Sequence, residues 1–316
     1  MAAVGCTLAI SGEHLDPSAL GGLAQAAEDL GFDSVWVSDH VVIPERIAST
    51  YPYSPDGAFH SGPKTPVLEP LSALAYLAGQ TRRIRLGTHV LILPYRNPVL
   101  TAKMATTIDN LSGGRLDLGV GVGWMQEEFE ALGQAEYYER RGAVSDEQMR
   151  VLRTLWTEDV PRFSGEFYRF EALGARPHPV QKPHPPIWIG GHTPVALRRV
   201  GRYGDGWLPI GARPPADLPP EEIAAGMARI REVAAQAGRD PQAIRLAFST
   251  TVMLGAETRR PFHGSPDDIR ADLQRYEQVG VQRFILNFGP APASEYERRL
   301  RQFVEQVQPA LAGVER

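Results

Sequence analysis

Apolar and polar positions along the chain alternate between two periods. Short apolar runs with β-branched residues, such as Gly5 to Ile10, Asp33 to Ser38 and Ile84 to Ile92, are too short for helices and read as buried strands. Between them lie longer stretches with helical spacing, such as Pro17 to Leu30 and Pro70 to Gln80. Asp16 is placed to cap the first of these helices and Gly31 to stop it. Asn97-Pro98 opens another that runs to about Leu111, and Ser112-Gly113-Gly114 ends it before the strand Arg115 to Gly119. A strand, a helical crossover and a second strand make a parallel βαβ unit.

The same alternation continues to the C-terminal end. Helix Arg140 to Trp156, strand Ile187 to Ile189, helix Thr193 to Val200, strand Gly206 to Leu208 and a helix ending near Ala237 follow in turn. Strand Arg245 to Leu254, helix Asp267 to Val279, strand Val281 to Leu286 and helix Glu295 to Val307 complete the set. Eight strands and eight helices in alternation, with no linker-like stretch, predict a single (β/α)8 TIM barrel domain over 1–316. Two long segments interrupt the rhythm. Residues 41–67 are rich in proline and tyrosine, and residues 157–186 contain a hairpin pattern near Phe163 to Phe170. The long insertions follow strands, which places them on the C-terminal face where barrels build their sites.

Composition narrows the function classes. A chain of 316 residues that is 43% apolar can bury a large core. Its net charge of −4 gives no electrostatic reason to expect nucleic acid or an anionic membrane as partner. The lone Cys6 excludes an internal disulfide and a dithiol motif. No run reaches membrane-spanning length and no basic-then-apolar leader opens the chain, so the expected address is the cytoplasm. The eight histidines show no metal-ligand spacing, so no metal is expected, and no G-x-S-x-G elbow is present. A barrel hydrolase is therefore disfavoured.

In a barrel, the strand ends converge on one opening. Glu13 and His14 follow the first strand and Asp39-His40 the second; Thr88 to Leu93 end the third, Gly119 to Trp124 the fourth and Gly190-Gly191-His192-Thr193 the fifth. His40 suits proton transfer or hydrogen bonding to a ring, because imidazole changes charge near neutral pH; it reads equally well as a histidine tied to a loop. Glu13 is a second catalytic candidate that could instead be solvated at the mouth. Gly119, Gly121 and Gly123 depart from the G-x-G-x-x-G fingerprint and lie on the fourth strand, so their smallness suits a planar group lying against backbone. Gly190 to Thr193 precede a helix, where amides and the Thr193 hydroxyl would hold a phosphate, or Thr193 would simply cap. Arg198, Arg199, Arg259, Arg260 and His263 are further candidates for an anionic tail.

Ser38-Asp39-His40, Gly87-Thr88, Asn97-Pro98, Leu111 to Arg115, Gly119 to Trp124 with Glu128-Phe129, Ile187 to Gly191, and Asp205-Gly206-Trp207 occur in the order found in luciferase-like flavin and deazaflavin oxidoreductases. The chain resembles the coenzyme F420-dependent branch of that family more than luciferase itself. The resemblance implies a barrel binding F420, or alternatively FMN, at its mouth, in a homodimer acting on a small organic substrate. It assigns Asp39 and His40 to the ring face, and Thr88, His89, Val90 and Ile92 to the ring edge. A non-proline cis peptide is expected near His89-Val90. Val122 and Gly123 would line the cofactor's chain, and Gly190, Gly191, His192 and Thr193 its phosphate. An F420-dependent hydride transfer is the first expectation; an FMN-dependent monooxygenase or a non-catalytic flavin-binding barrel are the alternatives. One departure stands out: sugar-phosphate dehydrogenases of the family carry an acid where this chain has Trp124, and an aromatic where it has Val41. That disfavours glucose 6-phosphate and, with the Tyr- and Pro-rich insertion, points to a partly apolar substrate.

Overall fold

The computed structural model describes residues 2–308; the remaining residues of the expected 1–316 domain lie outside the described residues. Eight parallel strands close into a cylinder: β1 (Ala3–Thr7), β2 (Ser34–Val37), β3 (Arg85–Thr88), β4 (Leu116–Gly121), β5 (Ile187–Gly190), β6 (Gly206–Leu208), β7 (Arg245–Thr251) and β8 (Arg283–Asn287). Their order around the cylinder is β3-β2-β1-β8-β7-β6-β5-β4, closed by the pairing of Leu86 with Leu116. Helices α1 (Leu20–Asp29), α2 (Pro70–Gln80), α3 (Pro98–Ser112), α4 (Arg141–Thr157), α5 (Pro194–Tyr203), α6 (Pro220–Gln236), α7 (Pro266–Gln278) and α8 (Ala293–Gln306) each follow the strand of the same number. This is the (β/α)8 barrel that the alternation predicts.

Strand parity builds two cores. Val35, Val37, Leu86, Leu116 and Leu118 point outward and pack against helix residues such as Leu74, Leu77, Leu152, Ile223 and Ile230. Each such side chain contributes roughly 1.5–3 kcal/mol of burial. Inside the cylinder, Trp36, Trp188, Leu208, Ala247 and Ile285 form a separate cluster. The two indoles lie where neighbouring strands carry glycine: a Cβ at Gly87 would stand 2.2 Å from the Trp36 ring, and one at Gly206 would stand 2.2 Å from that of Trp188. Trp188 Nε1 donates to Asp117 (3.0 Å), which also takes Arg85 and Arg283. The barrel is thus filled low down, and its C-terminal mouth is left for something else.

Local chemistry explains where the elements differ from expectation. The first helix begins at Leu20, not Pro17, because the Asp16 carboxylate accepts from Ser18 N (2.9 Å) and Ser18 Oγ (2.6 Å) and holds a turn instead. Asn97 does cap α3, accepting from the amides of Val99 and Leu100, and Gly113 ends that helix at φ 68°. The apolar run Ile84 to Ile92 is not one strand. It breaks after Thr88, where the His89–Val90 peptide bond is cis, and resumes as the short strand Leu91–Ile92. A short helix, Gln126–Ala131, follows the Gly run, where the pattern announces none.

Both insertions are pinned to helices, but only the first follows a strand: residues 157–186 come after α4 and before β5, contrary to the expectation that both follow strands, and none of them lines the cavity at the mouth. In the second, Phe163–Ser164 pairs antiparallel with Arg169–Phe170, and buried Glu147 of α4 accepts from the amides of Glu166, Phe167 and Tyr168 at 2.7–2.8 Å. In the first, Glu127 accepts from Ala48 N (2.7 Å) and Ser49 N (3.1 Å). Among the described residues no helix is long and apolar enough to cross a membrane, and no group of three or more His, Cys, Asp or Glu could hold a metal ion.

Candidate active site at the barrel mouth

A cavity of about 960 Å³ opens over the C-terminal ends of the strands. Its walls come from segments far apart in sequence, which the barrel brings together.

Asp39, just past β2, is buried and fully engaged. It accepts from Arg96 Nη1 (2.6 Å) and Nη2 (2.8 Å) and from Ile92 N (2.8 Å). Burial pushes its carboxyl above the ordinary range, while the Arg96 guanidinium pulls the other way. Asp39 therefore fixes the ends of β2 and β3 against each other, with Arg96 anchored in turn to Glu69 (3.0 Å).

His40, next along, lines the cavity. Its Nδ1 lies 2.8 Å from Oε2 of Glu128, a residue with no solvent exposure on the short helix. The same oxygen accepts from Tyr95 Oη (3.0 Å), and the other accepts from Val41 N (2.6 Å) and Val42 N (3.2 Å). Burial acts to raise the Glu128 carboxyl, but the bonds from His40 and the two amides outweigh it and hold it below the usual range. An ionised carboxylate only accepts, so Nδ1 carries the proton in neutral His40 and Nε2 is the nitrogen left to a ligand.

Around the mouth, Val90, Ile92, Val122 and Gly123 form one wall and Gly190 to Thr193 another. Gly123 (φ 84°) and Gly191 (φ 85°) adopt backbone that other residues avoid. The Thr193 hydroxyl accepts from Ala196 N (3.3 Å) as the cap of α5 and can still donate its own proton. Among the described residues that line the cavity, His89 Nε2 and His192 Nδ1 are buried nitrogens without partners. Burial, with Arg213 nearby, pushes His89 down to about 4, so it is neutral at ordinary pH. Arg199 also reaches this wall, paired with Asp146 and lying against Gly142, where a Cβ would stand 2.8 Å from Nη2. Arg141, which sits over the Tyr138 ring, lines it as well.

The first insertion closes the opposite side with rings. Tyr51, Tyr53 and Trp124 line the cavity, and Tyr51 and Trp124 lie 5.0 Å apart between centroids. Phe59 braces them at 5.3 and 5.4 Å and stands 4.9 Å from His40.

The cavity thus gathers His40, Asp39, His89, Val90, Ile92, Val122, Gly123, Gly190, Gly191, His192 and Thr193. It does not take in Thr88, whose buried hydroxyl donates to Gly119 O (2.7 Å) and ties β3 to β4. Nor does it take in Glu13, exposed beyond β1. Of the arginines proposed for an anion, Arg199 reaches it; Arg259 instead pairs with Asp268 and Asp272, and Arg198, Arg260 and His263 lie outside its walls. Sequence reasoning assigned no role to Glu128, Arg96 or Arg141. For Glu128 a signal existed: an acid beside Phe129 at a fixed distance beyond the Gly run.

The luciferase-like monooxygenase family model matches residues 5–260. The chain belongs to that family. Among its luciferase-like relatives, the uncharacterized Mycobacterium tuberculosis protein Rv0940c is 36% identical over 294 residues, 90% of this chain and 93% of its own. The F420-dependent glucose-6-phosphate dehydrogenase of Gordonia bronchialis is 34% identical over 237 residues, 74% of this chain and 64% of its own. The solved structure of an F420-dependent secondary alcohol dehydrogenase with an F420–acetone adduct superposes with a TM-score of 0.77 at 19% identity, over 98% of this chain and 99% of that one. At that identity the likeness speaks for the luciferase-like barrel alone.

Proposed function

We propose that the protein is a coenzyme F420-dependent oxidoreductase that moves hydride between the deazaflavin and a small organic substrate beside His40. The observation that carries this reading is the Glu128–His40 pair at the wall of a cavity large enough for a planar cofactor with a phosphate-bearing chain. The residues present fit such a group. The unpartnered His89 Nε2 suits a polar ring edge, and His192 Nδ1, the α5 N-terminus and Arg199 suit a phosphate. The F420-dependent relative at 34% identity favours the deazaflavin over FMN.

When bound, a 5-deazaflavin supplies a two-electron hydride acceptor or donor that does not activate oxygen. The chain's own part is proton handling and exclusion of water. Neutral His40, its Nδ1–H given to Glu128, presents Nε2 to take the hydroxyl proton of an alcohol as the carbonyl forms. In the reverse direction, protonated Nε2 returns that proton to the carbonyl oxygen. Glu128 stabilises the imidazolium in either direction, as a buried carboxylate behind a histidine does elsewhere. Val90 and Ile92 cover the site on one side, and the ring-bearing insertion covers it on the other.

The test is a fluorescence titration of purified protein with F420 and, separately, with FMN. Saturable quenching of F420 with weak or no FMN binding supports the assignment. Tight FMN binding with none for F420 would turn the reading to a flavin monooxygenase.

A further inference from the structure

Beside His40 the cavity wall is rich in aromatic rings. Of the lining residues drawn from segments 38–40, 50–53, 120–124 and 208–216, Asp39 is the only formally charged one, and Arg96 holds both its oxygens; two cations border them, Arg213 beside Tyr51 and Arg141, which donates to Gly123 O (3.2 Å). The other residues of these segments are aliphatic, such as Leu208 and Ile210, small, or aromatic: Tyr51, Tyr53 and Trp124 line the cavity, with Phe59 packed against Tyr51 and Trp124.

Hydrogen bonds within the protein hold these rings in place. Tyr51 N donates to Gly57 O (2.8 Å), which folds the segment so that Tyr51 and Phe59 meet. Glu127 holds the amides of Ala48 and Ser49, and Ser49 Oγ accepts from Gln126 N (3.0 Å), so the segment is clipped to the short helix that also carries Glu128. Glu128 holds the other end of the same segment through Val41 and Val42. Adjacent carboxylates on one turn therefore fix both the imidazole and the rings beside it. Burial keeps the Tyr51 and Tyr53 phenols neutral, Arg213 beside Tyr51 acting the other way.

We infer that the substrate is an aromatic ketone, or the corresponding secondary alcohol, with its flat ring against Tyr51, Tyr53 and Trp124 and its oxygen at His40 Nε2. This substrate class rests on the hydride-transfer reading above. A wall of fixed rings favours a flat π-system, through offset and edge contacts, over a saturated ring of similar size.

The test compares 2-acetonaphthone with 2-acetyldecalin by calorimetric titration, on cofactor-free protein and on protein saturated with F420. The expected result is roughly tenfold tighter binding of the aromatic ketone, with the preference falling to near unity in Tyr51→Leu and in Trp124→Leu. Equal binding of the two ketones by the unsubstituted protein, no binding of either, or displacement of 2-acetonaphthone by glucose 6-phosphate would overturn the inference. F420 affinity, followed by fluorescence on the same samples, is a separate arm. Its loss in unsubstituted protein removes the hydride reading, whereas intact F420 binding without a ketone preference removes the substrate class alone.

Discussion

Replacing Glu128 by glutamine keeps its shape and removes its charge. In the native protein four donors converge on the carboxylate: His40 Nδ1, Tyr95 Oη, Val41 N and Val42 N. Glutamine can serve the two amides with its oxygen, which turns its NH2 group toward His40 and Tyr95. Two charge-assisted bonds, each worth about 1.5–3 kcal/mol, are lost, and His40 recovers one neutral bond only by becoming an acceptor at Nδ1. The net cost to stability is about 3 kcal/mol. The proton then sits on Nε2, which can no longer accept one from an alcohol, so F420 reduction by 1-(2-naphthyl)ethanol should slow by on the order of 10²–10⁴-fold. F420 affinity should change little, and nitrogen NMR of the His40 ring should report the reversed tautomer. Turnover within twofold of the native rate, with the His40 nitrogen shifts unchanged, would refute the reasoning. The pH dependence has a definite sign. Glu128 is held below its ordinary value of 4.5, so its stabilisation is complete above that pH and is lost as pH falls through the lower, folded value. In urea melts, the stability gap between native protein and Glu128→Gln should be constant above pH 5 and close on the acid side.

His40→Ala should cut turnover by roughly 100-fold or more with the melting transition still cooperative; an unchanged rate would return His40 to a purely structural role. Gly191→Val places a branched side chain at φ 85° with Ala196 Cβ 3.2 Å from its Cβ, and F420 affinity should fall about tenfold; equal affinity would move the phosphate off that loop. Arg96→Ala leaves Asp39 buried without its cation, and chemical denaturation should show a loss of about 3–5 kcal/mol. A loss below 1 kcal/mol would mean that Asp39 takes up a proton at little cost.

The barrel was legible because its signal is repeated. Each strand carries a short apolar run, and a cap such as Asn97 marks a helix start by chemistry confined to a few residues, whereas the Ser265 capping box with Asp268 emerges only in the structure. The convergence of residues 40, 89, 123 and 190 followed from topology, since strand ends of a closed parallel barrel meet at one face. What the sequence withheld were pairings between distant segments. Nothing in residues 38–42 names Glu128 as their partner, because that bond depends on a short helix whose six residues show no clear period. Thr88 illustrates the converse. A hydroxyl at a strand end reads as a ligand, but here the adjacent strand's Gly119 carbonyl takes it. The register between β3 and β4 made that choice, and register is a tertiary fact.

The proposed function stands or falls on a planar redox cofactor in the mouth, its ring beside His40 and its phosphate on Gly190 to Thr193. The most direct measurement is a crystal structure of the protein grown with F420. Density for the deazaflavin is expected in this cavity, with the ring within contact of Val90 and His40 and the phosphate on the α5 N-terminus. A cofactor bound elsewhere, or bound in the cavity with the His40 face sealed so that no substrate could approach, would contradict it.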